Sequence, residues 1–309
     1  MCGICGIYNF KDKDKAQSMI ERMLTSMKHR GPDDEGIYMD DYMSMGHRRL
    51  SIIDVKGGHQ PLFNEDENIC LVFNGEIYNF RELRKKLEHQ HKFRTQSDTE
   101  VIIHLYEDHK EQCLQYLRGM FAFAIWDRKN KTLFLARDRL GIKPLYYSYI
   151  NNQFVFASEL KALIASKIIP NSLNRLGVQN YFLTYSLATP LTIFENSLQL
   201  PAGNYMMIKE GIASMKEYWD IPMIAGCKEK SRMDYLTCLR EKLEDAVKLH
   251  LYSEVPFGVF LSGGIDSSII AALTSKILKD DPHTFSIGFE ETEFSEIHFA
   301  SQIAKMFKT

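Results

Sequence analysis

The hydrophobic pattern of the chain changes once, near residue 230, and this change constrains the fold more than any other feature of the sequence. Before it, strand-like apolar stretches follow one another directly, as in GMFAFAIWD and TLFLARD, which flank RKNK. PLYYSYI and QFVFASE flank Asn151 and Asn152, a pair that favours a tight turn. Because strands outnumber helices and do not alternate strictly with them, roughly the first 200 residues predict an α+β domain with antiparallel sheets.

Helices are predicted at four places in this first part. KAQSMIERMLTSMKH has one apolar helical face, made of Ile20, Met23, Leu24 and Met27. FRELRKKLEHQ is a charged helix with Leu83 and Leu87 facing inward. In SDTEVIIHLYED, Ser97 and Glu100 have capping-box spacing, which predicts a helix from Asp98. The fourth helix lies near ELKALIAS, and YMSMGHRRLSIIDV and NICLVFNGEIYN are further predicted strands.

After a polar stretch, AGCKEKSRM, the pattern becomes βαβα. An amphipathic helix is marked by Leu236, Leu239, Leu243 and Val247. VPFGVFL and HTFSIGF are buried-strand patterns, each followed by a helical stretch, IIAALTSKIL and SEIHFASQIAKMF. This alternation predicts the start of a parallel doubly wound sheet. Two parallel strands cannot cover both of their faces well, so we expect this α/β domain to be incomplete. The predicted organisation is a domain at 2–210, a linker at 211–232 and the incomplete domain at 233–309.

Composition excludes several classes of function. A formal net charge of -2 over 309 residues gives no overall basic field, so neither nucleic acid nor an anionic membrane is an expected partner. No apolar run reaches the roughly 18 residues of a membrane span, and GICGIYNF runs directly into KDKDK without the pattern of a signal peptide. We therefore expect a cytoplasmic protein whose cysteines are free thiols, namely Cys2, Cys5, Cys70, Cys113, Cys227 and Cys238.

The N-terminal sequence MCGICG places a cysteine directly after the initiator methionine. If Met1 is removed, Cys2 carries a free α-amino group beside its own thiol. That amine titrates near pH ~8 and could take the proton of the thiol, which attacks an amide only as the thiolate. Cys2 and Cys5 also form a C-x-x-C pair, so half of a metal site or a redox pair is the alternative. No second C-x-x-C or matching histidine pair follows them.

The sequence LSGGIDSS follows a predicted strand and begins a predicted helix. Gly263 and Gly264 allow a sharp turn and close approach of a ligand, and the helix N-terminus with its N–H groups can bind an anion. The spacing and the lysine of a Walker A loop are absent. Asp266 fits an anion site only if Mg²⁺ bridges it to a phosphate. A glycine turn with a serine helix cap remains the alternative.

Together these two motifs resemble the glutamine-hydrolysing asparagine synthetase family. Its N-terminal half is a class II glutamine amidotransferase, and its C-terminal half is an ATP pyrophosphatase with an S-G-G-x-D-S loop. The resemblance extends from Cys2 to the last residue. It rests on strings in register: HRGPD, GHRRLSI, NGEIYN, SDTEVI, GMFAFAIWD, ARDRLGIKPLYY, LPAG and VPFGVFLSGGIDSS. It implies an N-terminal nucleophile fold, an αββα sandwich, followed by the parallel-sheet domain.

The resemblance also implies roles for individual residues. Cys2 would be the nucleophile, and Asn74 with the backbone of Gly75 would form the oxyanion hole. Arg49, with the backbone of Ile52, would bind the glutamine α-carboxylate; Asp98, helped by Glu76, would bind its α-ammonium. The residues implied to contact ATP or its pyrophosphate are Leu261, Ser262, Gly263, Gly264, Asp266, Ser267, Ser268 and Ile287. Taken singly, each glutaminase residue has a plain structural explanation: an exposed strand cation, a tight turn, or a first-turn helix charge.

The implied reaction joins glutamine, aspartate and MgATP, with no organic cofactor, to give asparagine, glutamate, AMP and pyrophosphate. The second nucleotide motif of the family, S-G-E-G-x-D-E, is absent from this sequence. We therefore expect the chain alone to be limited to glutamine hydrolysis, as a C-terminally truncated member. Two alternatives stay open: an amidotransferase with a different adenylated acceptor, and a non-catalytic partner of a full-length enzyme. The sequence also leaves open whether the chain forms a homodimer.

Overall fold

A computed structural model describes residues 1–223, 231–278, 281–291 and 295–309. The chain divides into two compact units, Met1–Pro222 and Met223–Thr309. Cys227, one of the predicted free thiols, lies outside the described residues, and the other five cysteines are free. No helix among the described residues is long and apolar enough to cross a membrane.

The first unit contains two six-stranded sheets in which every strand pair is antiparallel, as predicted. In chain order its strands are β1 Gly3–Tyr8, β2 Asp34–Met39, β3 Met43–Arg49, β4 Leu62–Phe63, β5 Ile69–Ile77, β6 Gly119–Asp127, β7 Thr132–Arg137, β8 Tyr146–Ile150, β9 Gln153–Ala157, β10 Leu198–Gln199, β11 Asn204–Lys209 and β12 Ile212–Glu217. One sheet has the order β10-β8-β9-β1-β3-β2, and the other has the order β12-β11-β7-β6-β5-β4.

The helices of the first unit are α1 Lys13–Ser26, α2 Phe80–Leu87, α3 Glu100–His109, a 3₁₀ helix at Lys110–Gln115, α4 Leu160–Ala165 and α5 Arg175–Thr184. One apolar core joins the facing sheets, since Ile4 and Met45 of one sheet pack with Val72 and Trp126 of the other. A second core joins α1 and α4 to the outer face of the β1 sheet. With α3 on β5 of the other sheet, the layers are those of the expected αββα sandwich.

Local sequence signals explain much of this unit. The four residues of the predicted face of α1, Ile20, Met23, Leu24 and Met27, are all 0% exposed. Leu83 and Leu87 of α2 are buried, also as predicted. Between β8 and β9, Asn151 and Asn152 have φ angles of 50° and 65°, which asparagine tolerates better than most residues and which a type I′ hairpin requires.

The predicted capping box before α3 is wrong. The helix begins at Glu100, after Thr99, and not at Asp98. The Glu100 carboxylate accepts hydrogen bonds from the backbone N–H groups of Arg94 and Thr95, so it holds the preceding loop and does not cap the helix. The Ser97 hydroxyl accepts from the N–H of Thr99. Asp98 is therefore left outside the helix, and its side chain reaches β5.

The predicted linker at 211–232 contains regular structure. β12, at Ile212–Glu217, pairs along its whole length with β11 and extends the sheet by one strand. Its side chains are all exposed, so the segment has no apolar pattern by which the sequence could reveal a strand. The compact first unit accordingly extends to Pro222.

The second unit contains α6 Arg232–His250, β13 Gly258–Phe260, α7 Ile265–Leu278, β14 His283–Phe285 and α8 Ile297–Phe307. β13 and β14 form the predicted parallel pair. The predicted apolar face of α6 is only partly covered: Val247 is buried, whereas Leu236 and Leu239 are 50% and 55% exposed. The strands are short and poorly covered too, since Phe260 is 80% exposed. The predicted burial of VPFGVFL is therefore wrong for Phe260.

Candidate active site

All seven residues that the sequence assigns to glutamine chemistry line one cleft of about 230 Å³ in the first unit. Cys2 precedes β1, Arg49 ends β3, and three of the residues are consecutive on β5. Asp98 comes from the loop before α3. The seven residues are Cys2, Arg49, Ile52, Asn74, Gly75, Glu76 and Asp98. These residues are far apart in the sequence. The family resemblance implied that they lie together, whereas their spacing in the sequence did not predict it.

Strand pairing and a buried ion pair hold Cys2 in place. Gly3 pairs with Arg48 of β3, and the Cys2 carbonyl accepts a hydrogen bond from Arg30 Nε at 2.8 Å. Arg30 is fixed in turn by Glu159, with 3.0 Å between Nη1 and Oε1. The Cys2 Sγ accepts a hydrogen bond from the Leu50 N–H at 3.4 Å. The thiol therefore has a defined position at one end of the cleft.

Burial raises the pKa of the Cys2 thiol, although the Leu50 N–H, the N-terminal amine and Arg49 act in the opposite direction. A thiol of this kind needs a base to become a nucleophile. No histidine is among the described residues that line the cleft. His47, on β3 near Arg49, is buried and bonds to the Phe73 carbonyl, and its burial lowers its pKa to about 3. The base must come from elsewhere.

The edge of β5 that faces away from β6 supplies the donors of the cleft. The Phe73 N–H donates to Gln60 Oε1 at 2.7 Å, and the Ile77 N–H donates to Asp98 Oδ2 at 2.8 Å. N–H groups two residues apart on a strand point the same way, so the Gly75 N–H faces this edge between them.

Pairing on the other side of β5 supports this direction. Gly75 lies opposite Phe121 of β6, and both backbone groups of Phe121 are engaged with Asp138. An antiparallel pair of opposed residues exchanges either both hydrogen bonds or neither. Gly75 and Phe121 therefore form a pair without mutual hydrogen bonds. A Cβ at position 75 would collide with the Met120 carbonyl, so the glycine is required by space as well.

Asn74 contributes a second donor. Its side chain is 1% exposed, and its Nδ2 has no hydrogen-bond partner among the described residues. A buried donor without a partner costs roughly 1–3 kcal/mol, so such groups are rare unless a ligand uses them. Asn74 Nδ2 and the adjacent Gly75 N–H are thus two donors available to an oxygen atom bound in the cleft.

Arg49 is fixed before any ligand binds. Its guanidinium donates to the carbonyls of Ile53, Asp54 and Val55 at 3.0, 2.7 and 3.1 Å. These bonds use three of its five N–H donors and hold the loop after β3. Arg49 therefore has two functions open to it, to shape the loop that contains Ile52 and to place a positive charge in the cleft.

The cleft also contains two carboxyl groups, those of Asp98 and Glu76, whose burial makes their ionised forms unfavourable. Burial, and next the nearby charge of Glu76, raise the pKa of Asp98 to about 7 despite the bond from Ile77. Burial also raises the pKa of Glu76, with Lys143 acting against it, and burial lowers the pKa of Lys143. A positively charged ligand group would favour both carboxylates in their ionised form. The cleft is therefore suited to a zwitterion, with an ammonium near Asp98 and a carboxylate near Arg49.

Sequence reasoning missed several residues of the cleft. Lys143 lies in the string ARDRLGIKPLYY, which was noted without assigning this lysine a role. Leu50, in the string GHRRLSI, likewise has no role assigned from the sequence, and Gln60 lies in none of the strings. Gln60 accepts from the Phe73 N–H, and the Leu50 N–H donates to Cys2, both across long loops. Contacts of this kind depend on tertiary structure and leave no local pattern.

In the second unit, the glycine loop lies beside a cavity of about 510 Å³. Of the predicted nucleotide residues, four line this cavity, Leu261, Ser262, Ser267 and Ile287, and the other four, Gly263, Gly264, Asp266 and Ser268, do not. Gly263 has φ of +88°, and a Cβ there would press against the backbone of Ala300, so glycine is required.

Hydroxyl groups organise this loop. Ser262 Oγ and Ser267 Oγ are 3.0 Å apart, and Ser262 Oγ accepts from the Gly264 N–H at 3.3 Å. Ser268 Oγ instead donates to the Gly264 carbonyl at 2.7 Å, within the first turn of α7. The loop thus presents two hydroxyls, those of Ser262 and Ser267, to the cavity. The structure agrees equally with a serine-capped glycine turn, the alternative noted from the sequence.

Comparisons with known proteins bear on both units. Residues 1–219 match the family described as "Glutamine amidotransferase domain", and residues 238–309 match "Asparagine synthase". Asparagine synthetase (glutamine-hydrolyzing) 1 of Bacillus subtilis is 39% identical, over 98% of this chain and 48% of its own length. Asparagine synthetase B (glutamine-hydrolyzing) of Escherichia coli is 37% identical, over 89% of this chain and 45% of its own length. This chain spans about half the length of these curated relatives.

Among solved structures, the glutamine phosphoribosylpyrophosphate amidotransferase from B. subtilis, complexed with ADP and GMP, is similar with a TM-score of 0.53 and 20% sequence identity. The match covers 89% of this chain and 64% of that chain. At this identity the likeness shows the fold, and it agrees with the two-sheet sandwich. The curated relatives confirm the resemblance that the motifs indicated.

Proposed function

The chain belongs to the family of glutamine amidotransferase domains, and from this premise we propose that its first unit hydrolyses glutamine to glutamate and ammonia, with Cys2 as the nucleophile. The observation that supports this most is the Nδ2 of Asn74, which is buried without a hydrogen-bond partner among the described residues and lies beside the Gly75 N–H in the cleft of Cys2. Two preorganised donors of this kind are what the oxyanion of an acyl-transfer intermediate needs.

The proposed mechanism begins with removal of Met1, which exposes the α-amine of Cys2. That amine takes the thiol proton, and the thiolate attacks the side-chain amide carbon of glutamine. The resulting oxyanion is bound by Asn74 Nδ2 and the Gly75 N–H. The intermediate collapses to a thioester as the protonated amine gives its proton to the departing nitrogen, and ammonia leaves. Water, deprotonated by the same amine, then cleaves the thioester to glutamate.

Recognition of glutamine uses the charges at the other end of the cleft. We assign the α-ammonium to Asp98 and Glu76, whose ionised forms it stabilises, and the α-carboxylate to Arg49 and the backbone of Ile52. Lys143 lies close enough to both Glu76 and Cys2 to affect their charges. It therefore balances the charge of Glu76 while the cleft is free of substrate.

The test is a glutaminase assay on the purified chain with a matched cysteine control. Cys2→Ala should abolish glutamate release, because it removes the nucleophile. Cys5→Ala should retain most of it, since Cys5 is 0% exposed and packs in the core under α1. Equal losses in the two variants would contradict the assignment and favour a C-x-x-C site.

For the second unit we propose ATP binding at residues 261–268, as part of glutamine-dependent asparagine synthesis by the whole protein. The support is the match to "Asparagine synthase" together with the glycine loop beside its cavity. Asp266 does not line the cavity, but it lies at the start of α7 next to the glycine loop. Mg²⁺ is commonly held by one or two carboxylates plus substrate phosphates, so Asp266 is the residue that would hold it. When bound, Mg²⁺ would neutralise phosphate charge.

Two measurements separate this from the glutaminase proposal. MgATP binding, followed by calorimetry, should weaken in Ser262→Ala, and it should survive in Cys2→Ala. Asparagine formation from aspartate, MgATP and ammonia is not expected of this chain alone, and its detection would contradict that expectation. Absence of ATP binding would overturn the second proposal and leave the first unaffected. We propose further that the amidotransferase domain ends after β12 and that the protein acts in the cytoplasm, without nucleic acid or membrane partners.

A further inference from the structure

Two histidines and two glutamates of the first unit converge on one point that the glutaminase cleft does not include. They are Glu65, His91, His104 and Glu107, and one ligand atom from each lies within 4.8 Å of all the others. None of the four lines the cleft of Cys2. Glu65 follows β4, His91 lies in the loop after α2, and the other two share one face of α3. The cluster therefore joins three segments that are separate in sequence.

The distances match a tetrahedral metal site. His91 Nδ1 is 3.5 Å from Glu65 Oε1 and 3.5 Å from Glu107 Oε2. His104 Nδ1 is 2.8 Å from Glu107 Oε2 and 3.7 Å from Glu65 Oε2. For bonds of about 2.0–2.2 Å to zinc, the edge of a regular tetrahedron is about 3.3–3.6 Å. The four separations lie between 2.8 and 3.7 Å, and all the ligand atoms lie within 4.8 Å of one another, so one ion can contact all four side chains after they move towards it.

The opposite ring nitrogens face carboxylates, as those of metal-bound histidines usually do. His91 Nε2 is 3.1 Å from Asp108 Oδ1. His104 Nε2 is 3.7 Å from Glu100 Oε1, and it is buried without a hydrogen-bond partner among the described residues. Metal bound at Nδ1 would fix the proton of each ring on Nε2, where these carboxylates can accept it. Each histidine thus has a ligand side and an outer carboxylate.

A purely ionic cluster accounts for this arrangement less well. The His91 and His104 rings are stacked with centroids 4.5 Å apart, so two protonated rings would repel each other. The two rings are surrounded by carboxylates, those of Glu65, Glu100, Glu107 and Asp108. A divalent cation would balance these negative charges with both rings neutral.

We propose that Glu65, His91, His104 and Glu107 bind one divalent transition-metal ion of the zinc class. Two imidazoles and two carboxylates suit Zn²⁺ and not Mg²⁺, which prefers octahedral oxygen ligands. With four protein ligands the site is closed, so its role is structural. The bound ion would hold α3 against the preceding loops. α3 begins two residues after Asp98 of the cleft.

The experiment uses the untagged full chain after treatment with a chelator. Titration with Co²⁺ should give the absorption of a tetrahedral ion at one equivalent, without a thiolate band, and Zn²⁺ should displace it. Zn²⁺ should also raise the midpoint of thermal unfolding. His91→Ala should lower Co²⁺ affinity at least about tenfold, as loss of metal-site partners does. His89→Ala, in the same loop but exposed and outside the cluster, should bind Co²⁺ normally.

Three results would overturn the proposal: no tetrahedral Co²⁺ spectrum, a thiolate band that shows binding at a cysteine, or equal Co²⁺ affinity in His91→Ala and His89→Ala. Circular dichroism and the midpoint of thermal unfolding without metal check that His91→Ala and His89→Ala keep the same fold. Glutamine hydrolysis plays no part in this test, so the outcome is independent of the proposed function.

Discussion

Replacing Asn74 by alanine should separate catalysis from stability. The Asn74 amide is buried, and its Nδ2 has no partner among the described residues, so its removal deletes no internal hydrogen bond of that nitrogen. If Nδ2 binds the oxyanion, the loss falls on the transition state. Removal of one such donor costs about 2.7–4 kcal/mol, which corresponds to a kcat about 100- to 1000-fold lower. KM for glutamine should change far less.

The same variant should fold almost as stably as the original chain. Loss of an unsatisfied buried donor relieves a penalty of about 1–3 kcal/mol, and this offsets the packing lost with the amide. We therefore expect the free energy of unfolding to change by no more than about 1 kcal/mol in urea. Steady-state glutaminase kinetics and urea denaturation on the same preparation give both quantities.

Asn64 provides the matched control, because it is a buried asparagine whose amide is fully used. Its Oδ1 accepts from the Ile69 N–H at 3.0 Å, and its Nδ2 donates to Glu107 Oε1 at 2.7 Å. Asn64→Ala leaves the buried Ile69 N–H without its acceptor. The free energy of unfolding should fall by about 1–3 kcal/mol, with kcat unchanged. A normal kcat in Asn74→Ala, with only a raised KM, would refute the assignment of Asn74 to the oxyanion hole.

The remaining predictions concern the ends of the cleft. Intact-mass analysis should find active protein without Met1, and full activity with Met1 retained would contradict the proposed base. Asp98 has a raised pKa of about 7 in the free protein, so its contribution to stability is present below its unfolded pKa of about 4 and is lost as pH rises through 7. Asp98→Asn should therefore gain stability relative to the original chain at pH 8 but not at pH 4, and KM of the original chain should rise as pH falls below 7. Gln60→Leu should lower the free energy of unfolding by about 1–3 kcal/mol, because the buried Phe73 N–H loses its acceptor; an unchanged urea midpoint would rule this out.

Elements with a strong local period were predictable from the sequence. α1 has its four predicted residues in the core, and the asparagine pair forms the β8–β9 turn. The order of the strands in the two sheets was not predictable, because β1 lies between β9 and β3, which are distant in sequence. β12 was missed because all its side chains are exposed. The start of α3 was predicted at the wrong residue because the Glu100 carboxylate accepts hydrogen bonds from Arg94 and Thr95 in the preceding loop and does not cap the helix.

The residues of the cleft were found only through their resemblance to a family, and the structure shows why. Spacing alone favoured a helix-dipole charge for Asp98, yet its carboxylate accepts from Ile77 on a different element. Gln60 does the same for Phe73. Such bonds join loops to a sheet edge, and neither partner has a sequence neighbourhood that identifies it. The sequence did not predict the histidine–glutamate cluster for a related reason, since its four side chains come from three separate segments.

The short length of β4 accounts for the position of the cleft. β4 pairs only with Leu71 and Cys70 of β5, so from Phe73 onward that edge of β5 has no neighbouring strand within the part of the chain that the structure describes. Buried N–H groups must nevertheless find acceptors. Gln60 and Asp98 supply them for Phe73 and Ile77, and the Gly75 N–H lies between these two on the same edge. The short β4 thus explains the position of the donor that we assign to the oxyanion and of the carboxylate that we assign to the ammonium. A substitution at the rim of the cleft that introduces an acceptor side chain within reach of the Gly75 N–H should therefore occupy this donor. Such a variant should lose glutamine hydrolysis even though Cys2 is intact.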